Sequence, residues 1–183
     1  MNGSVELESE LGVGTTAIIK LPFKIGKQED ANCIVSEKND FENVSVKGIR
    51  TLVAEDNELN MEIAKSMLEL NGLEVTCAAD GQEAVEIFKN SAPGYFGAIF
   101  MDIMMPNMDG LEAARSIRSM KRRDAGVIPI IAMSANSFSE DIVESRLAGM
   151  NYHLSKPMDS TKMINALKQC MALDYKMRLR EDL

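Results

Sequence analysis

The stretch at positions 96–110 decides the fold; it is Phe-Gly-Ala-Ile-Phe-Met-Asp-Ile-Met-Met-Pro-Asn-Met-Asp-Gly. It begins with a short apolar run, Ala98 to Met101, which is typical of a buried strand in a parallel sheet. The run ends at one carboxylate, Asp102, and Asp109-Gly110 then opens a helical pattern. We therefore expect Asp102 at the carboxyl end of a strand, where open α/β sheets form their ligand crevices. A single aspartate there is equally explained as a turn or cap residue, so its role depends on its neighbours.

Composition limits the class of protein. The chain has 183 residues, of which 45% are hydrophobic and 26% charged, enough for one ordinary domain and a smaller piece. A net charge of −8 disfavours nucleic acid and anionic membranes as partners. No apolar run approaches the roughly 20 residues of a spanning helix, so we expect no direct membrane contact. Three scattered cysteines, one histidine and no signal pattern favour a reducing, cytoplasmic location without a zinc site.

The first 47 residues differ in pattern from the rest. Residues 3–23 predict two strands around the glycine turn Gly12-Val13-Gly14, an amphipathic hairpin too small to be stable alone. A phosphate-binding P-loop is disfavoured, because no Gly-Lys-Ser/Thr follows and the next element is a strand. Polar residues then predict a linker. We divide the chain into a hairpin at 1–24, a linker at 25–47, a main domain at 48–173 and a tail at 174–183.

From residue 48, five predicted strands alternate with five predicted helices. The strands are expected at 51–54, 74–77, 98–101, 129–132 and 152–154. The first helix is expected to begin after a cap at Asn57 and to turn one face inward, made of Ile63, Ala64, Met67 and Leu68. This alternation predicts an α/β fold with a doubly wound parallel sheet covered on both faces. By analogy with flavodoxin-like sheets we adopt the strand order 2-1-3-4-5, which makes the first and third strands neighbours.

That order brings acidic side chains from two strand ends together. Glu55 and Asp56 follow the first strand, and Asp102 ends the third. Clustered carboxylates repel, so either one is protonated or a cation binds. A hard cation with few protein ligands suits the cluster, and Mg²⁺ fits best. The backbone carbonyl of Met104 is a candidate for one more ligand.

Two further groups follow the fourth and fifth strands, the Ser134 hydroxyl and the Lys156 ammonium. Together with a metal ion they would receive a dianion beside a carboxylate nucleophile, which predicts phosphoryl transfer to Asp102. A flavodoxin would need a phosphate-binding loop where this chain has its acidic pair. An aspartate-nucleophile phosphatase would typically carry a second aspartate at the position of Met104. Both enzyme classes are therefore disfavoured.

Four pieces of the chain resemble response-regulator receiver domains, and the resemblance covers residue 48 to about residue 173. The pieces are Val-Ala-Glu-Asp-Asn (53–57), Met-Asp-Ile-Met-Met-Pro-Asn-Met-Asp-Gly (101–110), Ala-Met-Ser-Ala-Asn (132–136) and Leu-Ser-Lys-Pro (154–157). The adopted strand order is the one known from chemotaxis receivers. The resemblance implies Mg²⁺ as cofactor and the following roles: Asp102 as phosphoacceptor, Glu55, Asp56 and the Met104 carbonyl as metal ligands, Ser134 as switch hydroxyl, and Lys156 as phosphate-contacting lysine with a cis bond to Pro157.

His153 departs from the family pattern, which usually has tyrosine or phenylalanine three residues before the lysine. Two interpretations of this residue stay open. Either the imidazole swings inward as the switch residue, or it is an ordinary half-exposed residue at a strand end.

The hairpin has a resemblance of its own. Ser9-Glu10-Leu11-Gly12-Val13-Gly14-Thr15, continuing to Lys20-Leu21-Pro22-Phe23, is similar to the last glycine box and final strands of a histidine-kinase ATP-binding domain. The other nucleotide-binding boxes of such a domain do not occur in this chain, so its status as an enzyme is left open. The similarity implies that this chain is the carboxyl-terminal part of a hybrid sensor histidine kinase. The alternative is that residues 3–23 form a hairpin unrelated to such a kinase.

Two functions follow for the main domain. The first is a phosphorelay receiver, whose implied partner is a histidine kinase domain or a histidine phosphotransfer protein; a homodimer is compatible with this function. The second is a phosphorylation-independent pseudo-receiver that serves as a protein-interaction module. Mg²⁺ binding discriminates between them, because a module without phosphoryl chemistry has no need of the metal site.

Overall fold

The computed structural model describes residues 3–10, 12, 14–20, 22, 44–135 and 139–181. The chain divides into two compact units, Met1–Asn39 and Asp40–Leu183, which are described separately. Most of the predicted linker lies outside the described residues. In its last part, Val46 is 7% exposed and packs in the core of the second unit.

The first unit contains the predicted hairpin. Strand β1 (Ser4–Glu10) pairs antiparallel with β2 (Gly14–Lys20). The register places Val5 opposite Ile19 and Leu7 opposite Ala17, so one face is apolar, as the alternation of side chains predicts. The described side chains of both strands are exposed. The predicted second strand was longer, but Leu21 and Phe23 lie outside the described residues.

The second unit is built on one parallel sheet of five strands. They are β3 (Arg50–Ala54), β4 (Glu74–Ala78), β5 (Ala98–Asp102), β6 (Ile130–Ser134) and β7 (Tyr152–Ser155). Their order in the sheet is β4-β3-β5-β6-β7, which is the 2-1-3-4-5 order adopted above. The α/β class, the parallel sheet and the strand order are thus confirmed.

Five helices in the described part of the chain connect and follow these strands: α1 (Glu58–Leu70), α2 (Gly81–Asn90), α3 (Gly110–Arg118), α4 (Ser139–Leu147) and α5 (Ser160–Glu181). The predicted cap at Asn57 is confirmed, since its side-chain oxygen accepts a backbone N–H bond at the start of α1. Asp109 and Asp159 cap α3 and α5 in the same way. Most of the predicted tail at 174–183 belongs to α5, which continues to Glu181. No helix among the described residues combines the length and the apolar character needed to cross a bilayer.

Successive strand residues point to opposite faces of the sheet, so their side chains pack in two cores, one on each face. Leu52 and Ile99 pack on one face with α2 and α3, whereas Val53 and Phe100 pack on the other with α1 and α5. The predicted inward face of α1 is partly wrong. Ala64 and Leu68 are buried, but Ile63 is 38% exposed because it lies on the flank of α1 away from the sheet.

An ion pair at the amino-terminal edge of the sheet fastens the end of α2. Arg122 pairs with both oxygens of Asp124 at 2.6 and 2.8 Å and also donates to the carbonyl of Ser91 at 3.2 Å. Asp124 in turn accepts from the backbone N–H of Gly94 at 2.7 Å. The hydrogen bond from Arg122 lowers the pKa of Asp124 to about 2. Because the folded-state pKa is depressed, this carboxylate stabilises the fold above its unfolded-state pKa of about 3.9 and loses that effect toward pH 2.

We therefore expect Asp124→Asn to lower the free energy of unfolding by about 2 kcal/mol at pH 7, since it removes charge-assisted hydrogen bonds to Arg122. The difference from the unsubstituted chain is expected to fall to about half by pH 3, midway through the titration of this group. Urea unfolding of both proteins at pH 7 and pH 3 measures it. Glu86→Gln, at an exposed position on α2, is the control for the loss of one negative charge. A difference that stays constant or grows toward low pH would contradict the expectation.

Candidate functional site

The carboxyl ends of four neighbouring strands carry the predicted site residues. Asp102 ends β5 and Ser134 ends β6, while Glu55 and Lys156 directly follow β3 and β7. The parallel register pairs Asp102 with Met133, so Ser134 lies one residue further along the neighbouring strand. Strand ends of a parallel sheet lie at one edge, and inter-strand hydrogen bonding therefore brings these groups together.

Three carboxylates form the centre of the site. Glu55, Asp56 and Asp102 each offer an oxygen within 4.8 Å of the others. Glu55 is 2% exposed and Asp102 is 3% exposed, whereas Asp56 is exposed. The cluster that the sequence predicted from two strand ends is thus present, with one member open to solvent.

Lys156 bridges the two buried members of this cluster. Its Nζ lies 2.6 Å from Asp102 Oδ2 and 2.7 Å from Glu55 Oε2. Its backbone N–H donates to the Ser134 carbonyl at 2.7 Å, which joins the ends of β6 and β7. The predicted cis bond between Lys156 and Pro157 is observed. One ammonium therefore provides the positive charge that faces two recessed carboxylates.

Burial and charge act against each other on these groups. Burial raises the pKa of Asp102, and the nearby Glu55 charge raises it further, although the hydrogen bond from Lys156 opposes both. Burial alone would lower the pKa of Lys156, but its contacts with Asp102 and Glu55 outweigh that effect and raise it. The lysine is therefore protonated at neutral pH and serves as a fixed cation beside Asp102.

The donor set fits a hard divalent cation. Glu55 Oε1 accepts from Asn60 Nδ2 at 2.9 Å, while the buried Oε2 faces the Lys156 ammonium at 2.7 Å. The same ammonium also contacts Asp102, so it bridges the two buried carboxylates and leaves other lone pairs on both of them. A carboxylate has about four acceptor sites, so Glu55 keeps acceptor capacity beside two further carboxylates, which is the chemistry of an Mg²⁺ site.

The loop after β5 surrounds Asp102. The Met104 backbone N–H donates to Asp102 Oδ1 at 3.3 Å, and the Met104 side chain is 74% exposed. Further along the loop, Asn107 has a positive φ of 61° and donates to Asp80 at 2.8 Å, which fastens the loop to the start of α2. The Met104 carbonyl as a metal ligand stays a prediction.

The two predicted switch residues occupy adjoining strands. Ser134 is 4% exposed at the end of β6. His153 is half-buried on β7, and its Nδ1 lies 3.4 Å from the hydroxyl of Ser145, a buried residue of α4. Both side chains are at least partly buried, so a change in the position of either would alter its contacts with the surrounding residues. Their roles as switch residues stay predictions.

Asn60 and Ser145 also belong to this region, although neither lies in the motifs that predict the site. Asn60 lies in the first turn of α1, three residues after the cap at Asn57. A polar amide in the first turn after a strand-end acidic pair was the available signal. Ser145 could have been found as the polar residue that α4 turns toward the core, although the periodicity of that short helix is weak.

Comparisons with known proteins agree with this geometry. Residues 51–168 match the family model of the response regulator receiver domain. The chain is 37% identical to the osmosensing histidine protein kinase SLN1 of Saccharomyces cerevisiae, over 88% of this chain and 13% of that protein. It is 31% identical to the aerobic respiration control sensor protein ArcB of Escherichia coli, over 92% of this chain and 20% of that protein. The chain thus spans only a small part of the curated relatives it matches.

Among solved structures, the chain is similar to the receiver domain of the sensor histidine kinase PA1611 from Pseudomonas aeruginosa. The two are 34% identical with a TM-score of 0.62, and the match covers 68% of this chain and 98% of that domain. That structure was determined with a magnesium ion coordinated in its active-site cleft.

Proposed function

Because this chain belongs to the response-regulator receiver family, we propose that it accepts a phosphoryl group from phosphohistidine onto Asp102 with Mg²⁺ as cofactor. The observation that carries the proposal is the Lys156 ammonium, 2.6 Å from Asp102 and 2.7 Å from Glu55, inside a cluster of three carboxylates. Such a centre holds an anionic oxygen nucleophile next to fixed positive charge. That is the arrangement phosphoryl transfer needs, because its catalysis consists mostly of positioning and charge stabilisation.

In the proposed step, one Asp102 carboxylate oxygen forms a bond to phosphorus while the bond from phosphorus to the histidine ring nitrogen breaks. The electron pair of the broken bond stays on that nitrogen, which takes up a proton. Lys156 lies where it can contact the transferred group, and the Ser134 hydroxyl ends the neighbouring strand. Glu55, Asp56 and Asp102 would hold Mg²⁺, which when bound offsets negative charge on the phosphoryl oxygens.

The phosphodonor must reach a recessed aspartate, since Asp102 is only 3% exposed. Exposed apolar side chains lie close in sequence to the acidic residues. Leu59 is 70% exposed and Ile63 is 38% exposed on α1, and Met104 is 74% exposed in the loop after β5. Leu59 and Ile63 are four residues apart and lie on one side of the helix. This surface supports docking of a histidine kinase domain or a histidine phosphotransfer protein as the partner. A homodimer stays a prediction.

The hybrid-kinase context is also part of the proposal. The matches to SLN1 and ArcB cover 88% and 92% of this chain and so extend beyond the receiver region at 51–168. This extension supports residues 1–24 as the end of a kinase ATP-binding domain, with the receiver following a linker. A cytoplasmic location follows for a module that exchanges phosphoryl groups with such a kinase.

The proposed function predicts that incubation with Mg²⁺ and acetyl phosphate adds the mass of one phosphoryl group to the intact chain. Asp102→Asn is expected to abolish the adduct, because an amide oxygen is a poor nucleophile. Asp124→Asn is the matched control, since it makes the same chemical change at the opposite edge of the sheet and should leave the adduct in place. Intact-mass spectrometry measures all three proteins.

Two results would count against the proposal: an unmodified chain, or an adduct that survives in Asp102→Asn. An unmodified chain that still binds a histidine phosphotransfer protein would favour the pseudo-receiver function.

A further inference from the structure

Asn60 contacts the acidic cluster but is not one of the predicted site residues. Its side-chain Nδ2 donates to Glu55 Oε1 at 2.9 Å. Its backbone N–H is bonded in turn to the Asn57 side chain at 3.0 Å, which fixes the first turn of α1. Asn60 is thus held at its backbone by the helix cap and reaches with its side chain to a buried carboxylate.

The consequence for Glu55 is that its two oxygens have different environments. Oε1 accepts the amide hydrogen bond of Asn60, while the buried Oε2 lies 2.7 Å from the Lys156 ammonium. A carboxylate anchored through one oxygen cannot rotate freely about its terminal torsion. The anchored Oε1 therefore holds Oε2 beside the ammonium that also contacts Asp102, within the acidic cluster where the cation would bind.

The chemistry of the amide suits this task. An amide donates a hydrogen bond without adding charge, so it orients Glu55 and leaves the negative charge of the cluster available to a cation. A lysine in its place would compete with the cation, and an aspartate would repel Glu55. Residues that orient metal ligands in this way typically change metal affinity 10- to 100-fold when they are replaced.

We propose that Asn60 is a positioning residue for the divalent cation, acting through Glu55. The inference rests on the proposed function, because the cation is the one that phosphoryl transfer to Asp102 would use. It assigns the first turn of α1 to the metal site in addition to the strand ends.

The test is the affinity of the full chain for Mg²⁺ alone, measured by titration calorimetry at constant ionic strength. Asn60→Leu preserves the approximate shape of the side chain but removes the donor, and we expect it to weaken Mg²⁺ binding about tenfold. Asn71→Leu is the matched control at the other end of α1, where the Asn71 side chain donates to Met67 and Ser160. It removes an amide from the same helix, and we expect its Mg²⁺ affinity to stay within about twofold of the unsubstituted chain.

Circular dichroism first establishes that both variants are folded. If Asn60→Leu does not fold, Asn60→Gln provides the comparison, since it retains the amide on a longer arm and should bind Mg²⁺ with intermediate affinity. Unchanged affinity in the Asn60 variant would overturn the inference. Equal weakening in the Asn60 and Asn71 variants would overturn it too, because the effect would then come from the stability of α1.

The proposed function can fail separately from this inference. In that case the unsubstituted chain binds Mg²⁺, and Asn60→Leu weakens the binding, but acetyl phosphate leaves no adduct on Asp102. A chain that takes up no Mg²⁺ at millimolar concentration would overturn both.

Discussion

Replacing Lys156 with methionine is expected to lower the free energy of unfolding of the magnesium-free chain by about 3 to 5 kcal/mol. The ammonium of Lys156 contacts both Glu55 and Asp102, which are 2% and 3% exposed. Methionine keeps the unbranched stem but removes the charge, so two buried carboxylates face each other without compensation. Loss of one partner of a buried ion pair is costly because the remaining charge stays desolvated.

Magnesium is expected to restore more stability to this variant than to the unsubstituted chain. In the unsubstituted chain, a cation that binds Glu55 and Asp102 has to share them with the lysine, whereas in Lys156→Met the carboxylates are unshared. A ligand that binds the folded state alone stabilises it by an amount that grows with the logarithm of its concentration relative to its dissociation constant. Urea unfolding with and without saturating Mg²⁺ measures both effects.

Lys162→Met is the control for the substitution. Lys162 is exposed on α5, and the loss of its charge should change the free energy of unfolding by no more than about 0.5 kcal/mol. A loss below about 1 kcal/mol in Lys156→Met would contradict the expected cost of an uncompensated buried charge. Equal stabilisation by Mg²⁺ in Lys156→Met and the unsubstituted chain would show that lysine and cation do not share the carboxylates.

Replacing Gly110 with alanine is expected to have a comparable effect, about 3 kcal/mol, for a steric reason. Gly110 begins α3, and its backbone N–H donates to the Ile103 carbonyl at 3.0 Å. An added Cβ would overlap the backbone carbonyl of Asp102 and lie 3.0 Å from the Met101 side chain. The carbonyl belongs to a fully buried strand and has no room to move, so the strain outweighs the roughly 1 kcal/mol that alanine gains over glycine within a helix.

Gly126→Ala is the matched control for this substitution. An added Cβ at Gly126 meets no atom within 4 Å, and its backbone φ is not in the left-handed region. The control should therefore be neutral or slightly stabilising. Urea unfolding of the two alanine variants gives the comparison. Equal stability of the two variants would show that the backbone near Asp102 can move at little energetic cost.

Much of the site was predictable because strand ends follow simple rules. An apolar run that stops at a carboxylate marks the end of a buried strand, and parallel strands end at one edge. Glu55, Asp102, Ser134 and Lys156 could all be placed in this way. The strand order itself had to be taken by analogy, since the hydrophobic pattern does not specify which strands are neighbours.

The sequence did not predict contacts that depend on the packing of elements far apart in the chain. Arg118 illustrates this, because its half-buried guanidinium donates to the carbonyls of Gly149, Ala125 and Ile128. An arginine in the last turn of α3 has the same local pattern whether its side chain is solvated or buried. The role of Arg118 depends on the positions of the surrounding loops, which the local sequence pattern does not specify.

The apolar pattern of α1 was ambiguous for a related reason. Leu59 and Ile63 extend the hydrophobic side of the helix beyond the part that the sheet can cover. Helical periodicity locates an apolar stripe, but the width of the neighbouring layer decides how much of the stripe is buried. Val46 likewise packs in the core of the second unit, although the composition of the stretch around it is typical of a linker.

The site residues lie at strand ends, and this placement has a consequence for evolution. They are Glu55, Asp102, Ser134 and Lys156. Inter-strand hydrogen bonds fix the distances between these groups, and the outward sides of the helices take no part in that spacing. Mutation can therefore redesign the outer surface and its recognition partners while the chemistry inside stays constant. Chains that retain only about a third of their residues in common, as this one does with its relatives, can diverge into separate signalling channels that do not interfere with one another.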